Sequence, residues 1–470
     1  MVAGQVARLC IQLLSVTILS RLLAPEDFGL IAMTVVFVSL GAMLRDFGMP
    51  TAALQAQTLS RHQASNLFWI NAGLGLTGAL ALSAATPLVV ALYDEPRLGA
   101  IIPVMAITLV FGGLTAQPQV QLARSMRFAV IAVAAVVAQG LGLVASIVGA
   151  IAGLEYWSLV WAALVTAFSL FAIQSLALRW VPSMPRKRVG TSELVRSGSN
   201  FGAAQVLTFA ASNADTIAIG ALWEATDVGY YNRAYQLLMM PIQAMLAPLT
   251  SVVVPMVNRA RAAGQSVDAV LLRLQSAVAI PVVLVFVSAA SSAPFAVPLL
   301  VGDGWEESTQ IFQILAVGGA VQAFSHVSYW GFMLHNMSRQ LLYYNLVTKL
   351  FTILIVFAGA LVSVQSVAIA YTLALVVSWP VNLIWLAKCA SQRSWSYLVS
   401  GLRILLSAVV AFLATLPLVA MLGPDFSTLA GTAIVAGVAS ICFVGALALT
   451  RAGRAQLRGV LLVLRTAMGR

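Results

Sequence analysis

The sequence predicts an all-α, polytopic membrane protein with about fourteen transmembrane helices, on the evidence of its composition and its recurring apolar runs. Hydrophobic residues make up 61% of the 470 residues and charged residues only 9%, whereas a soluble domain carries about 25% charged residues. Each run is predicted to be helical because an isolated strand cannot satisfy its backbone hydrogen bonds in lipid. At about 20 residues per helix, the predicted spans are 2–22, 28–44, 66–92, 99–121, 129–152, 156–178, 199–222, 228–254, 274–300, 309–334, 342–362, 364–387, 402–422 and 429–450.

Charge placement predicts how these spans are oriented. Of the 26 Lys and Arg residues, Arg21 and Arg97 alone lie in one alternate set of gaps between spans. Arg8, Arg233 and Lys349 lie inside spans, and all the others fall in the opposite set of gaps. The acidic residues concentrate in the base-poor gaps. Positive residues stay on the cytoplasmic side during insertion, so we expect the base-rich gaps and both termini to be cytoplasmic.

The two halves of the chain look like duplicated copies of six spans each. An even number of spans preserves orientation, so we predict two six-helix bundles related by a pseudo-twofold axis normal to the membrane, followed by two C-terminal helices. The matching pairs, in chain order, are Asp27 and Asp227, Gly29 and Gly229, Pro87 and Pro294, and Gly149 and Gly359.

The predicted organisation therefore has five parts. Residues 1–178 form the first six-helix bundle, and residues 199–388 form the second. A basic linker with two prolines, 179–198, joins them on the cytoplasmic side. Residues 389–450 hold helices thirteen and fourteen, and residues 451–470 form a basic tail. Because the apolar residues of the tail share one helical face, we expect it to lie on the inner leaflet.

Five ionisable residues inside predicted spans are the candidate cavity residues: Arg8, Asp215, Arg233, His326 and Lys349. A charge at mid-bilayer costs about 3 kcal/mol on insertion scales, so such groups persist when they pair or face water. Their excess positive charge predicts a polar cavity that suits a phosphate or diphosphate. Alternatively, Arg8 and Arg233 snorkel to the membrane surface, Asp215 pairs with Arg233 as a structural clasp, and His326 is a hydrogen-bonded packing residue.

The eighth predicted span carries Pro241, Pro248 and Pro255 on nearly one face. Each proline removes a backbone donor and favours a kink. We therefore predict a gating helix that bends, although static kinks would produce the same pattern.

Several classes of function are disfavoured by what the sequence lacks. It contains no phosphate-binding GxxxxGK[ST] loop and no His/Cys/Asp cluster with metal-ligand spacing, so we predict no cofactor and no metal. The bases are scattered over loops, which argues against nucleic acid as a partner. The three cysteines, Cys10, Cys389 and Cys442, have no paired spacing and are expected to be packing residues.

Four segments resemble Wzx-type polysaccharide flippases of the polysaccharide transport family, within the multidrug/oligosaccharidyl-lipid/polysaccharide exporter superfamily. They are SRLLAPEDFGLIAM at 20–33, NADTIAIGALW at 213–223, DVGYYNRAYQLLMMP at 227–241 and VVVP at 252–255. The resemblance implies two six-helix bundles around a central cavity. Asp215 and the tyrosine-rich start of the eighth span match family positions, whereas the beginning of the first helix is shorter than the family pattern.

The resemblance also implies a function. Such proteins move an undecaprenyl-diphosphate-linked oligosaccharide across the bacterial inner membrane for exopolysaccharide, capsule or lipopolysaccharide O-antigen biosynthesis. The implied partners are that lipid-linked substrate, membrane lipids, and a polysaccharide polymerase with its export machinery.

Two other functions compete with this prediction. A cation-coupled multidrug exporter of the same superfamily would share the architecture, but such exporters usually carry acidic residues in the first bundle, and here the acid inside a span is Asp215 in the second. A polysaccharide polymerase or ligase would be an enzyme with a large outward loop, and the outward gaps here are short. We therefore predict a transporter and not an enzyme.

Overall fold

The computed structural model describes residues 2–46, 50, 53–54, 56, 59–186, 202–246, 249–264, 266–335, 337–390, 394–423 and 426–467, and these form helices and connections without a strand. The described helices, numbered in chain order, are α1 (Val2–Leu22), α2 (Pro25–Asp46), α3 (Arg61–Tyr93), α4 (Leu98–Arg124), α5 (Phe128–Ile151), α6 (Tyr156–Leu178), α7 (Gly202–Ser212), α8 (Ala214–Leu222), α9 (Ala225–Met245), α10 (Leu249–Ala262), α11 (Val267–Val301), α12 (Glu306–Leu334), α13 (Ser338–Ala360), α14 (Val364–Ala390), α15 (Ser394–Leu422), α16 (Thr428–Leu449) and α17 (Arg451–Ala467).

Twelve helices in the described part of the chain are long and apolar enough to cross a membrane, by length and composition. They correspond to predicted spans one to six and nine to fourteen. The seventh predicted span is two shorter helices, α7 and α8, and the eighth is α9 and α10. The predicted all-α, polytopic class is confirmed, but two of the fourteen predicted spans are broken helices rather than continuous ones.

The chain divides into two compact units, residues 1–232 and residues 233–470. In the first unit, α3 packs along α4, and α5 packs along α6. Small residues permit the close α3–α4 approach, because a Cβ added at Gly75 or Gly113 would contact the backbone of the opposite helix, at Leu109 and Asn71 respectively. Such small-residue contacts are the usual way in which membrane helices pack closely.

In the second unit, α11 is the central helix and packs against α12, α15, α16 and α17. Further pairs form between α12 and α14 and between α13 and α14. The amphipathic tail helix α17 thus contacts α11 and α16. The domain boundaries drawn from the sequence stay predictions, since residues 187–198 of the linker lie outside the described residues.

Candidate functional site

The break between α7 and α8 places a buried carboxylate at a helix N-terminus. Asn213 leaves helical geometry at φ −125° and ψ 8°, and its side-chain amide donates to the Phe209 carbonyl at 2.9 Å. Asp215 follows in the first turn of α8 and is 3% exposed. The partial positive charge of the helix N-terminus stabilises a carboxylate there. Broken helices with a buried polar group at the break are a recurring device of transporter sites.

Both carboxylate oxygens of Asp215 accept hydrogen bonds within the first unit. The Thr216 backbone N–H donates to Oδ1 at 2.8 Å, and the Tyr231 hydroxyl donates to Oδ2 at 2.9 Å. Tyr231 lies in the first half of α9 and is itself 1% exposed. The sequence indicated that the tyrosine-rich start of this helix was distinctive, but it did not predict that Tyr231 would be the partner of Asp215.

A reciprocal contact joins the two segments that the sequence comparison matched as copies. A Cβ added at Gly29 would overlap the carbonyl oxygen of Ala225, and one added at Gly229 would overlap the carbonyl oxygen of Pro25. Each glycine therefore lies against the first turn of the other helix. Asp27 and Asp227 play equivalent roles beside them, because their carboxylates accept from the backbone N–H groups of Ala24 and Glu224 respectively.

The largest cavity that we describe, about 850 Å³, adjoins this contact. We call it the acidic pocket, and its lining residues are Glu26, Met33, Tyr93, Asp94, Glu95, Arg97 and Gly220–Asp227. All three helix connections that contribute to it belong to the set predicted to face outward. Among the described residues, Arg97 is the one base in this lining.

Arg97 is held by two carboxylates of the acidic pocket. Its Nη2 lies 2.5 Å from Oε1 of Glu26 and 2.8 Å from Oε2 of Glu95, and its Nε donates to Oε1 of Glu95 at 2.9 Å. The hydrogen bonds from Arg97 hold the pKa of Glu95 below its ordinary value. This base breaks the predicted charge alternation, and the structure gives the reason: its charge is neutralised locally.

The second unit holds the predicted cavity residue Arg233 in a different environment. Arg233 is 4% exposed, and its Nη1 donates to Oε1 of Gln236 at 2.7 Å. Its guanidinium lies over the ring of Trp305, with Cζ 5.5 Å from the ring centroid. A buried guanidinium on an aromatic face gains a favourable cation–π interaction. The buried position does not support the alternative that Arg233 snorkels to the membrane surface.

Of the other predicted site residues, Arg8 belongs to the first unit, and His326 and Lys349 belong to the second. Arg8 is exposed on α1. His326 is half-buried on α12, and its Nδ1 lies 3.3 Å from the Gln322 carbonyl oxygen one turn earlier, as the packing alternative expected. Lys349 is half-buried on α13, and among the residues that the structure describes no hydrogen bond or ion pair ends on its ammonium group. Their assignment to one cavity stays a prediction.

The predicted gating prolines are only partly described. Pro241 lies inside α9 and Pro255 inside α10, and both helices continue through them. The helix ends at Met245 and the next begins at Leu249. Pro248 lies outside the described residues. The predicted bending of this span at its prolines and its role in gating stay predictions.

These features define a multi-pass membrane protein whose membrane helices include two broken ones with buried polar residues. The chain belongs to the polysaccharide biosynthesis protein family, because the sequence model of that family matches residues 18–310. The predicted family resemblance is therefore confirmed.

Two related proteins are named for polysaccharide biosynthesis. The chain is 22% identical to the lipopolysaccharide biosynthesis protein WzxC of Escherichia coli K12, over 66% of this chain and 64% of that protein. It is 28% identical to the succinoglycan biosynthesis transport protein ExoT of Rhizobium meliloti 1021, over 52% of this chain and 50% of that protein. The matches thus span between half and two thirds of the length of these relatives.

Solved structures show the same fold. The lipid II flippase MurJ, in an inward closed conformation, aligns with a TM-score of 0.68 at 12% identity, over 95% of this chain and 100% of that chain. An inward-facing multidrug resistance transporter of the MATE family aligns with a TM-score of 0.61 at 14% identity, over 83% of this chain and 94% of that chain. At these identities the comparison establishes the fold and leaves the substrate to other arguments.

Proposed function

We propose that this protein flips an undecaprenyl-diphosphate-linked oligosaccharide across the bacterial inner membrane by alternating access. The observation that carries the proposal is the family match over residues 18–310, together with relatives named for lipopolysaccharide and succinoglycan biosynthesis. The lipid tail can remain in the bilayer during such a movement, so only the head group and sugars need a polar path. No covalent chemistry is required of the protein.

The diphosphate is the part of this substrate that most needs help from the protein. Bringing it into a low-dielectric path without opposite charge carries a prohibitive desolvation cost. We assign Arg8, Arg233 and Lys349 to that task, with Asp215 tuning the local charge and His326 adding a polar contact. Lys349 is the sharpest test of this assignment, because its ammonium group has no partner among the described residues.

The reciprocal glycine contact is consistent with a transporter that is closed on its outward side. Gly29 and Gly229 bring the first turns of α2 and α9 together, in connections that the charge pattern assigns to the outward face. Alternating access requires such a contact to separate when the substrate leaves. Pro241, Pro248 and Pro255 would allow the helices beside it to bend during that change.

The proposal includes a location and partners. Both termini would be cytoplasmic, as the distribution of Lys and Arg predicts. The exported repeat would be passed to a polysaccharide polymerase and its export machinery, since a flippase delivers a lipid-linked unit that another protein must consume.

The direct test is flipping in proteoliposomes that contain the purified protein and a fluorescent undecaprenyl-diphosphate oligosaccharide. Dithionite quenching or lectin capture then measures how much substrate reaches the opposite leaflet. Protein-dependent movement supports the proposal. If the protein instead moves cationic drugs and leaves the lipid-linked sugar in place, it is a multidrug exporter, and the proposal is wrong.

A variant series separates the cavity role of Lys349 from a packing role. Lys349→Ala should lower flipping at least about tenfold, because it removes one charge-assisted contact to the diphosphate. Lys349→Arg should retain part of the activity, because it keeps the charge. The matched control is Lys388→Ala, in the last turn of α14, which should flip normally. Normal flipping by Lys349→Ala at normal expression would remove this residue from the site.

A further inference from the structure

Three helix ends of the second unit meet around a cavity of about 460 Å³ whose lining includes none of the candidate cavity residues. We call it the basic groove, and its polar lining and edge are Arg273, Ser276, Trp395, Ser400, Arg403 and Gln456. These residues come from the first three turns of α11, α15 and α17. All three helix ends follow gaps that the charge pattern assigns to the cytoplasmic face.

The groove has a fixed polar floor. The side-chain amide of Gln456 donates to the hydroxyl of Ser400 at 2.7 Å and to that of Ser276 at 3.3 Å. Arg403 Nη1 donates to Oε1 of Gln456 at 3.4 Å. This network ties the tail helix α17 to α11 and α15, so the three elements that hold the groove are connected by side chains.

The described lining of the groove carries positive charge alone. Arg273 and Arg403 both line it, and no acidic residue among the described residues does. Within the described ranges, neither guanidinium takes part in an ion pair. The nearby carboxylate on the same helix, Asp268, is absent from the lining. Two arginines with neighbouring hydroxyl and amide groups supply the kinds of donor that bind a phosphate group.

The edge of the groove is suited to lipid. Trp395 is 74% exposed, and tryptophan is enriched where membrane helices meet the head-group region. Leu272 and Val399 add apolar surface to the lining. Basic pockets between membrane helices on the cytoplasmic side are known as sites for anionic lipid head groups. A soluble anion would need only the arginines and would gain nothing from this apolar edge.

We infer that the basic groove binds the phosphate of an anionic phospholipid in the inner leaflet, with Arg273 and Arg403 as its ligands and Gln456 orienting Arg403. The bound lipid would join α11, α15 and the tail helix α17. This site is separate from the candidate cavity residues, so it holds or fails independently of the proposed flippase activity.

The test uses the delipidated full-length protein in a neutral detergent. Binding of short-chain phosphatidylglycerol is measured by native mass spectrometry and by the shift in melting temperature, against phosphatidylcholine with the same chains and against inorganic phosphate. We expect phosphatidylglycerol to bind and stabilise the protein, whereas the other two have little effect. Equal binding of phosphatidylcholine would overturn the inference. Equal stabilisation by inorganic phosphate would show that the groove binds a free phosphate and not a lipid head group.

Variants locate the site. Arg273→Gln and Arg403→Gln should each weaken phosphatidylglycerol binding at least about tenfold, since each removes a charge-assisted contact. Arg273 is exposed, so its replacement tests the groove even if Arg403→Gln folds poorly. The matched control is Arg458→Gln, which removes the same charge from the exposed side of α17 but lies outside the lining. If this control loses as much binding, the tail attracts lipid as a diffuse basic surface and no groove site exists.

Discussion

The acidic pocket of the first unit and the basic groove of the second are each built where three helix ends meet, yet their charges are opposite. The pocket gathers Glu26, Asp94 and Glu95 around one arginine, whereas the groove gathers Arg273 and Arg403 without an acid. In the pocket the single base is neutralised by two carboxylates, while in the groove the charges remain available to a ligand.

The difference shows how the charge bias of single loops, described by the positive-inside rule, determines the charge of sites in the folded protein. The rule describes an excess of Lys and Arg in individual cytoplasmic loops. Because folding brings separate loops together, a small charge excess in each loop becomes a concentrated local charge. Arg97, a base predicted to face outward, is paired with neighbouring acids. The bases of the groove are predicted to face inward, where anionic lipids are available.

The largest effect is expected at the contact beside the acidic pocket. Gly29→Ala and Gly229→Ala each place a Cβ on a backbone carbonyl that cannot move without shifting a helix. Overpacking of this kind costs about 1–3 kcal/mol, so both variants should melt at lower temperature and lose most of their flipping activity. The control is Gly73→Ala, whose added Cβ meets nothing within 4 Å. If all three variants melt together, the contact is not as tight as described.

A smaller effect is expected in the basic groove when its floor is removed. Gln456→Ala deletes the hydrogen bonds to Ser276 and Ser400, which are both buried. Losing them costs about 1 kcal/mol, so hydrogen exchange in α17 should accelerate about fivefold while the rest of the second unit is unchanged. Arg458→Gln on the same helix provides the control. Unchanged exchange in Gln456→Ala would show that α17 is held by its apolar face alone.

The smallest effect concerns Arg97 in the acidic pocket. Its side chain is 39% exposed, so its ion pairs contribute only about 0.2–1 kcal/mol. Because Arg97 holds the pKa of Glu95 below its ordinary value, the stabilisation is complete above the unfolded pKa of about 4.3 and is lost as pH falls through the lowered folded pKa. The melting temperatures of wild type and Arg97→Gln should differ at pH 7 and converge near pH 3. A constant difference would contradict the ion-pair account.

The sequence predicted the membrane helices well, because apolar length is a property of each segment alone. Predicted span 66–92 became Arg61–Tyr93, and predicted span 274–300 became Val267–Val301. The additional helical turns at the start of each helix are amphipathic or polar, so a search for apolar runs does not include them. The break at Asn213 was missed for a different reason: the segment is long and apolar enough overall to be read as one span, and the irregular backbone is stabilised by a local hydrogen bond.

The candidate site was predicted less completely than the fold. The sequence identified Asp215 and Arg233 because charges are rare in spans, but it could not identify Tyr231 or Trp305, since tyrosine and tryptophan are common in membrane proteins. The match of Asp27-x-Gly29 with Asp227-x-Gly229 predicted duplicated halves, and it did not show that these two segments contact each other, as the structure does. The acidic pocket and the basic groove depend on which loops meet, and a single sequence does not contain that information.

The central claim is the predicted topology, in which the charge pattern assigns the acidic pocket to the outward face and the basic groove to the cytoplasmic face. Thiol labelling in intact cells tests it most directly. Cys10, Cys389 and Cys442 are first replaced by alanine, and one cysteine is then introduced as Asp94→Cys in the acidic pocket or as Ser396→Cys in the basic groove. With a membrane-impermeant maleimide, Asp94→Cys should label in intact cells, and Ser396→Cys should label only after permeabilisation. Labelling of both cysteines in intact cells, or the reverse pattern, would contradict the account.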